Sequence, residues 1–140
     1  MNDTSACIRT VAAVIDDGTG AVLLVRKRGT AVFIQPGGKP EPGETPLQTL
    51  ARELHEELGV RLDATGAYEL GRFEADAVHE PGRRVRTTAF CCRVSGRPSP
   101  QAEIAELAWV PAAGPYPVPV APLSAGHILP AYVARLSPAD

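Results

Sequence analysis

The stretch Gly38 to Val60, GKPEPGETPLQTLARELHEELGV, constrains the fold more than any other part of this 140-residue chain. Thr45 is an N-cap residue, and Pro46 suits the first helical position, where its missing N–H costs nothing. Gln48, three residues after Thr45, completes a capping box. Leu47, Leu50, Ala51, Leu54 and Leu58 recur at the helical period and form an apolar stripe. Gly59 is the expected C-terminal stop. The spacing predicts a helix beginning at Pro46 and ending at Leu58.

Three acids share that helix. On a wheel of about 100° per residue, Glu53 and Glu57 fall on one side, away from the stripe, with Glu56 beside them. Like charges at this spacing repel by a few tenths of a kcal/mol per pair. Arg52 can pair with Glu56 four residues on, but one cation does not neutralise three carboxylates. A solvated acidic face is the ordinary use of such a run. The residues before the helix change that reading. Pro36-Gly37-Gly38 and Pro42-Gly43-Glu44 form a rigid, glycine-rich loop whose backbone can approach a metal or a phosphate closely. Hard cations such as magnesium take oxygen ligands, usually a few carboxylates with water and substrate phosphate. An open loop followed by three acids supplies such a set.

The remaining chain predicts one domain over residues 1–140, long enough for a hydrophobic core. A net charge of −2 gives no electrostatic footprint for DNA or RNA. The N-terminal MNDTSACIRT lacks a basic region followed by an apolar core, and no apolar run approaches membrane-spanning length. Three cysteines, two of them adjacent, imply no disulfide framework, and Cys91 and Cys92 on a strand would face opposite sides. The expectation is a cytoplasmic protein with reduced, buried thiols, either a monomer or a homodimer, with no nucleic-acid or membrane partner.

Ile8–Ile15 and Val22–Val25 read as strands joined by a hairpin-type linker, Asp16 to Gly20. Tyr68–Phe73 and Val85–Val94 are further strands, with Glu74 to Arg84 as a polar loop between them. Prolines at 111, 115, 117, 119 and 122 forbid a helix and favour extended backbone. Ile128, Leu129, Tyr132, Val133 and Leu136 predict a C-terminal helix. Strands mixed with two helices make this an α/β chain. Arg26, Lys27 and Arg28 close the second strand ahead of the loop; they grip phosphates there or form a solvated edge. Alternation puts Arg26 and Arg28 on one face and Lys27 on the other. His55, beside the apolar stripe, reads as structural, and His79 and His127 have no partner at metal-ligand spacing.

The loop and helix together resemble the Nudix hydrolase signature. Gly38, Glu44, Arg52, Glu53, Leu54, Glu56, Glu57, Gly59 and Val60 fill each of its specified positions. The resemblance implies a Nudix-type α/β/α sandwich with a mixed β-sheet between helices. It also implies a Mg²⁺-dependent pyrophosphohydrolase, with Mn²⁺ as a substitute. By the same resemblance Glu53, Glu56 and Glu57 bind metal, the Gly37 carbonyl adds a ligand, and Arg52 orients the glutamates. Glu53 is one candidate for the base. Glu44 acts through a water or holds the loop to the helix. An outlying acid completes the set: Glu103, six residues before Trp109, with Glu106 and Glu80 as competitors and Trp109 as the buried anchor of that strand. Phe33 and Gln35 stand where relatives line a base pocket, though Phe33 also suits the core, and Gly38 brings open backbone to the substrate. Markers of ADP-ribose, diadenosine-polyphosphate and NADH types are absent, which leaves a compact MutT-like layout and a small nucleotide substrate, with an oxidised dNTP such as 8-oxo-dGTP among the candidates. The alternatives are a non-catalytic nucleotide sensor, a hydrolase of ADP-ribose or another nucleotide sugar, and a hydrolase of RNA 5′ ends.

Overall fold

The computed structural model describes residues 7–77 and 80–136. Strands β1 (Cys7–Ile15) and β2 (Ala21–Lys27) are followed by the short β3 (Phe33–Ile34) and β4 (Gly37–Gly38). Helix α1 (Pro46–Leu58) comes next, then β5 (Arg61–Asp76), β6 (Arg84–Ser95) and β7 (Ile104–Pro111). A π-helical turn over Ser124–Ile128 leads into α2 (Leu129–Leu136).

The strands form two sheets. One runs β4-β1-β6-β5 and the other β3-β2-β7. Pairing in the first is mixed: β1 and β6 are parallel, whereas β4 and β5 join as antiparallel edges. The second is antiparallel throughout. Val11–Ile15 and Val22–Val25 are buried on both faces, which is why they read as continuous apolar runs rather than alternating ones. Their alternate side chains serve two cores. Val11, Ala13, Ile15, Leu23 and Val25 meet Leu50, Leu54 and Leu58 of α1. Val14, Val22 and Leu24 meet Ile128, Leu129 and Tyr132 of the C-terminal turn and helix. Cys92 enters the first core and Cys91 the second, as strand alternation predicts. Strand layers between α1 and α2 make the expected α/β arrangement, with two sheets in place of one.

Helix α1 has the predicted ends. The Gln48 N–H donates to Thr45 Oγ1 and the Thr45 N–H to Gln48 Oε1, while Gly59 closes the helix in the left-handed conformation.

Several expectations are corrected. Asp16 to Gly20 does not make a hairpin; beyond one bridge, Asp16–Val22, it carries the chain from one sheet to the other. Asp16 Oδ1 accepts the N–H groups of Gly18 and Gly20 to hold that turn. The strand predicted over Tyr68–Phe73 is a long one with two irregularities, starting at Arg61 and including Glu74 to Asp76, which the polar composition marked as loop. Trp109 is 43% exposed and does not anchor β7. β7 is the outer strand of its sheet, and Trp109 near its end lines an open groove with Val94, Pro98 and Leu136. Ile104 and Val110 are the buried residues of that strand. The proline-rich segment is extended and lies beside β3: Phe33 N–H donates to Pro119 O and Ala121 N–H to Phe33 O.

Candidate active site

One turn of geometry changes the reading of the acids. Glu57 is seven residues after Leu50, two turns on, so it returns to within about 20° of it. It therefore shares the stripe's side instead of avoiding it, and it is only 8% exposed. Its Oε1 accepts the Gly37 N–H at 3.2 Å. Glu53, a turn earlier, lies against Gly38: a Cβ on Gly38 would fall on the Glu53 carboxyl and displace it. Gly37 has φ +148° and pairs with β1, where a Cβ would strike the Val11 carbonyl. Both glycines let the loop backbone and two carboxylates share one place. Glu56 points outward, with its side chain 53% exposed.

Arg52 ties the site together. Its guanidinium grips Glu44 with Nε to Oε2 at 2.7 Å and Nη2 to Oε1 at 3.0 Å. Nη1 donates to Glu53 Oε2 at 2.9 Å, and Nη2 also donates to the Lys39 carbonyl at 3.0 Å. The predicted pairing with Glu56 is looser, at 3.5 Å. Glu44 is further held by the Thr49 hydroxyl and the Glu41 N–H, both donating to Oε1 at 2.8 Å. It joins loop to helix through its carboxylate.

The electrostatics separate these acids. The Arg52 fork and the Glu41 N–H hold Glu44 well below the usual carboxylate range, at about 2. Burial pushes Glu53 up, against the pull of Arg52. Burial pushes Glu57 up to about 7, with the Gly37 N–H and Lys27 opposing and Glu53 reinforcing the rise.

A cavity of about 180 Å³ opens beside Gly37 and Gly38. Lys27 and Lys39 are on its lining, with Gln35 and a largely apolar wall including Ile8, Val11, Val85 and Ile128. Of the cations closing β2, Lys27 alone lines this cavity. A register irregularity with β7 falls between Arg26 and Lys27. Arg26 is engaged by Glu106 at 3.0 Å and by the Thr30 carbonyl at 2.8 Å, and Arg28 is exposed. Phe33 takes the core position of its two readings, packed with Val14, Leu24 and Val110. Gln35 is on the cavity wall.

The outlying acids differ in their surroundings. The Glu57 and Leu58 carbonyls accept the N–H groups of Gln101 and Ser99, so the loop before β7 is held to the last turn of α1. Glu103 follows two residues after Gln101, is exposed, and takes the Arg28 N–H on its carbonyl at 2.9 Å. Glu106 is paired with Arg26. Glu80 lies on the cavity lining and pairs with Arg83 at 3.1 Å. His55 and His127 are exposed, and His79 lies outside the described residues.

By donor chemistry this set fits a hard divalent cation. The facing groups are carboxylate oxygens, and buried Glu57 has a single N–H to offset its charge. Among the described residues, no three His, Cys, Asp or Glu side chains already stand in a metal-binding arrangement. Magnesium usually takes one or two carboxylates and completes its shell with water and substrate phosphate.

Three features of the site have no place in the local pattern. Lys39 contributes both a cavity wall and the carbonyl that receives Arg52. Thr49 is fully buried to reach Glu44, and only its position one turn after the N-cap hints at that. The wall built by β1 and β6 depends on a parallel pairing between residues about 77 apart, which no window of sequence reveals.

A NUDIX domain family model matches residues 8–131. The chain is 38% identical over 71 residues to the 8-oxo-dGTP diphosphatase of Haemophilus influenzae, covering 48% of this chain and 52% of that protein. It is 41% identical over 61 residues to the RNA pyrophosphohydrolase of Pseudoalteromonas translucida, covering 44% of this chain and 36% of that protein. The matched stretch thus spans about a third to a half of these curated relatives. The solution structure of the E. coli ORF135 protein superposes with a TM-score of 0.77 at 28% identity, covering 100% of both chains. With the family model matching most of its length and every specified position of the signature filled, the chain belongs to the Nudix family.

Proposed function

We propose that this protein is a divalent-metal-dependent pyrophosphohydrolase of a nucleoside di- or triphosphate derivative. The observation that carries the reading is the placement of Glu53 and Glu57 against Gly37 and Gly38, at the edge of a cavity lined by Lys27 and Lys39. Bound Mg²⁺, or Mn²⁺ in its place, supplies neutralisation of phosphate charge and a water of lowered pKa. Glu53, Glu56 and Glu57, with the Gly37 carbonyl, are the residues that would hold it, and Glu103 is the acid that approaches from the loop before β7. Arg52 keeps Glu53 oriented while its other edge is fixed by Glu44. Glu53 accepts the proton of the attacking water as the new P–O bond forms and the anhydride P–O bond breaks. Lys27 and Lys39 neutralise the phosphate chain, with Arg26 and Arg28 flanking it at the strand end. The small cavity takes the base.

The similarity to an 8-oxo-dGTP diphosphatase supports a MutT-like substrate, including an oxidised dNTP. The similarity to an RNA pyrophosphohydrolase favours a second reading, action on a triphosphorylated RNA 5′ end. Three free cysteines, two of them buried, suit a cytoplasmic setting. The test is a Mg²⁺-dependent hydrolysis screen over canonical and oxidised nucleoside triphosphates, nucleotide sugars, dinucleotides and triphosphorylated RNA, reading phosphate and pyrophosphate release. Turnover of none of them, with a folded protein, would overturn the reading in favour of a nucleotide-binding sensor.

A further inference from the structure

Ala102 is the one residue other than glycine with a positive φ among the described residues, at +53°. Its Cβ crowds the backbone in that conformation, which an L-residue adopts only at a cost. It is the first central residue of a turn closed by the Ile104 N–H, which donates to the Gln101 carbonyl at 3.0 Å. Positive φ at the first central position alone is the habit of a type II′ turn, which ordinarily takes glycine there.

A strained residue persists only where its surroundings over-determine it. Here the turn is clamped on both sides. Before it, the Ser99 and Gln101 N–H groups donate to the Leu58 and Glu57 carbonyls at 3.0 and 2.9 Å, using helix-end acceptors that α1 cannot satisfy by itself. The Gln101 amide also lies over Gly59, where a Cβ would meet its Nε2. After it, the Arg28 N–H donates to the Glu103 carbonyl at 2.9 Å, and Ile104 is in register with Lys27. The turn thus bridges the main chain of buried Glu57 and the end of β2 that carries Lys27 to the cavity. Glu103 stands at its corner. Among the described residues its carboxylate enters no ion pair, whereas Glu106 and Glu80 are held by Arg26 and Arg83. We propose that Ala102 is a positioning residue: its left-handed corner, clamped to Glu57 and Arg28, aims the Glu103 carboxylate at the cation site of Glu53 and Glu57. This rests on the reading of Glu103 as the outlying acid. Alanine suits the task because it has fewer alternative conformations than glycine. A broken corner leaves Glu103 present but unaimed, and the groups that orient a metal ligand typically matter by about 10–100-fold in metal affinity or activity.

The test is a double-mutant cycle on the full chain. Ala102→Val puts a β-branched side chain where positive φ is least tolerated. Inserting one glycine between Ala102 and Glu103 breaks the corner without strain. Each is made alone and together with Glu103→Gln. The Mn²⁺ dissociation constant is read by electron paramagnetic resonance, kcat and KM by hydrolysis at saturating Mg²⁺, and the fold by circular dichroism. With Glu103 present, both changes should weaken Mn²⁺ binding and lower kcat by about tenfold, with KM within about twofold. In the Glu103→Gln background, each should cost less than about twofold. Ala102→Gly, which keeps positive φ available, should stay within about threefold of the wild type. Equal losses with and without Glu103 overturn the proposal, because a merely structural turn would act that way. Full affinity and turnover in the glycine insertion also overturn it, and this arm serves where Ala102→Val does not fold. Turnover that ignores Glu103→Gln and both corner changes removes this proposal and leaves the pyrophosphohydrolase reading standing. Glu103-dependent losses of Mn²⁺ affinity, with no substrate hydrolysed, do the reverse.

Discussion

The two ends of α1 treat a carboxylate in opposite ways. Before the first turn, Glu44 is gripped by the Nε–Nη2 edge of Arg52 and by Thr49 and Glu41, and it stays ionised down to about pH 2. In the last turn, Glu57 is buried with one N–H for company and is pushed up to about 7. The helix dipole adds to the contrast, since its C-terminal end disfavours negative charge. The first carboxylate is complete as it stands and works as a fastener. The second is incomplete and gains most from a cation brought from outside. Burial and partners, not residue type, divide these roles.

The largest expected effect tests the second half of that contrast. Glu57→Gln should lower kcat with Mg²⁺ by more than about a hundredfold, the scale of losing a charged contact made in the transition state, while circular dichroism shows an intact fold. Near-normal turnover of the correct substrate would break the contrast. Next, Glu103→Gln should lower kcat more than Glu106→Gln or Glu80→Gln, by about tenfold or more, because Glu106 and Glu80 are already paired with arginines. If Glu80→Gln is the crippled variant, the working acid approaches from the β5–β6 loop instead.

Smaller, but more diagnostic, is the pH dependence of stability without divalent cation. Glu57 has a folded pKa above its usual value, so the fold prefers its protonated form. Stability should therefore rise as pH falls from about 8 through 7 toward 4.5, and Glu57→Gln should flatten that limb. Glu44 has a folded pKa below its usual value, so the stability it provides is present above 4.5 and is lost as pH falls toward 2. Glu44→Gln should flatten this lower limb and leave the upper one alone. Denaturant midpoints across pH would settle both, and a single shared limb would sink the division of roles. The smallest effect is a rise of a few degrees in Tm on adding millimolar Mg²⁺, by mass action on the folded state, and Glu57→Gln should abolish it. A Tm indifferent to Mg²⁺ would favour a solvated acidic helix.

Legibility in the sequence followed the range of the forces involved. Helix α1 was readable to its ends because Thr45, Gln48 and Gly59 act within a few residues. The polar hub was partly readable: Arg52 and Glu44 belong to the signature, but Thr49 and Lys39 enter only through the packed loop. The charge of Glu57 suggests a solvated side, but the helical angle puts it with Leu50. Arg61 to Ala67 carries no strand pattern, since its edge position lets polar residues fill both faces around irregular pairing. The size and apolarity of Trp109 suggest a core role, yet an outer strand leaves large side chains exposed. The cavity was least legible, because its walls come from β1, β6 and the segment after residue 120, which meet only in the folded chain.

That last segment is attached in a way that bears on how the site can change over time. It meets β3 through main-chain atoms, with Phe33 bonded to Pro119 on one side and Ala121 on the other. Bonds of this kind are indifferent to side-chain identity. Residues that follow, such as Ala121, Leu123 and Ile128, supply one wall of the cavity. Mutations there can reshape the chamber while the docking holds and α1 is left untouched. The fold thus separates an inheritable part, the loop and helix, from a variable part that can drift toward new ligands. The same docking occupies the outer edge of β3, which would otherwise offer unpaired backbone to a neighbouring chain.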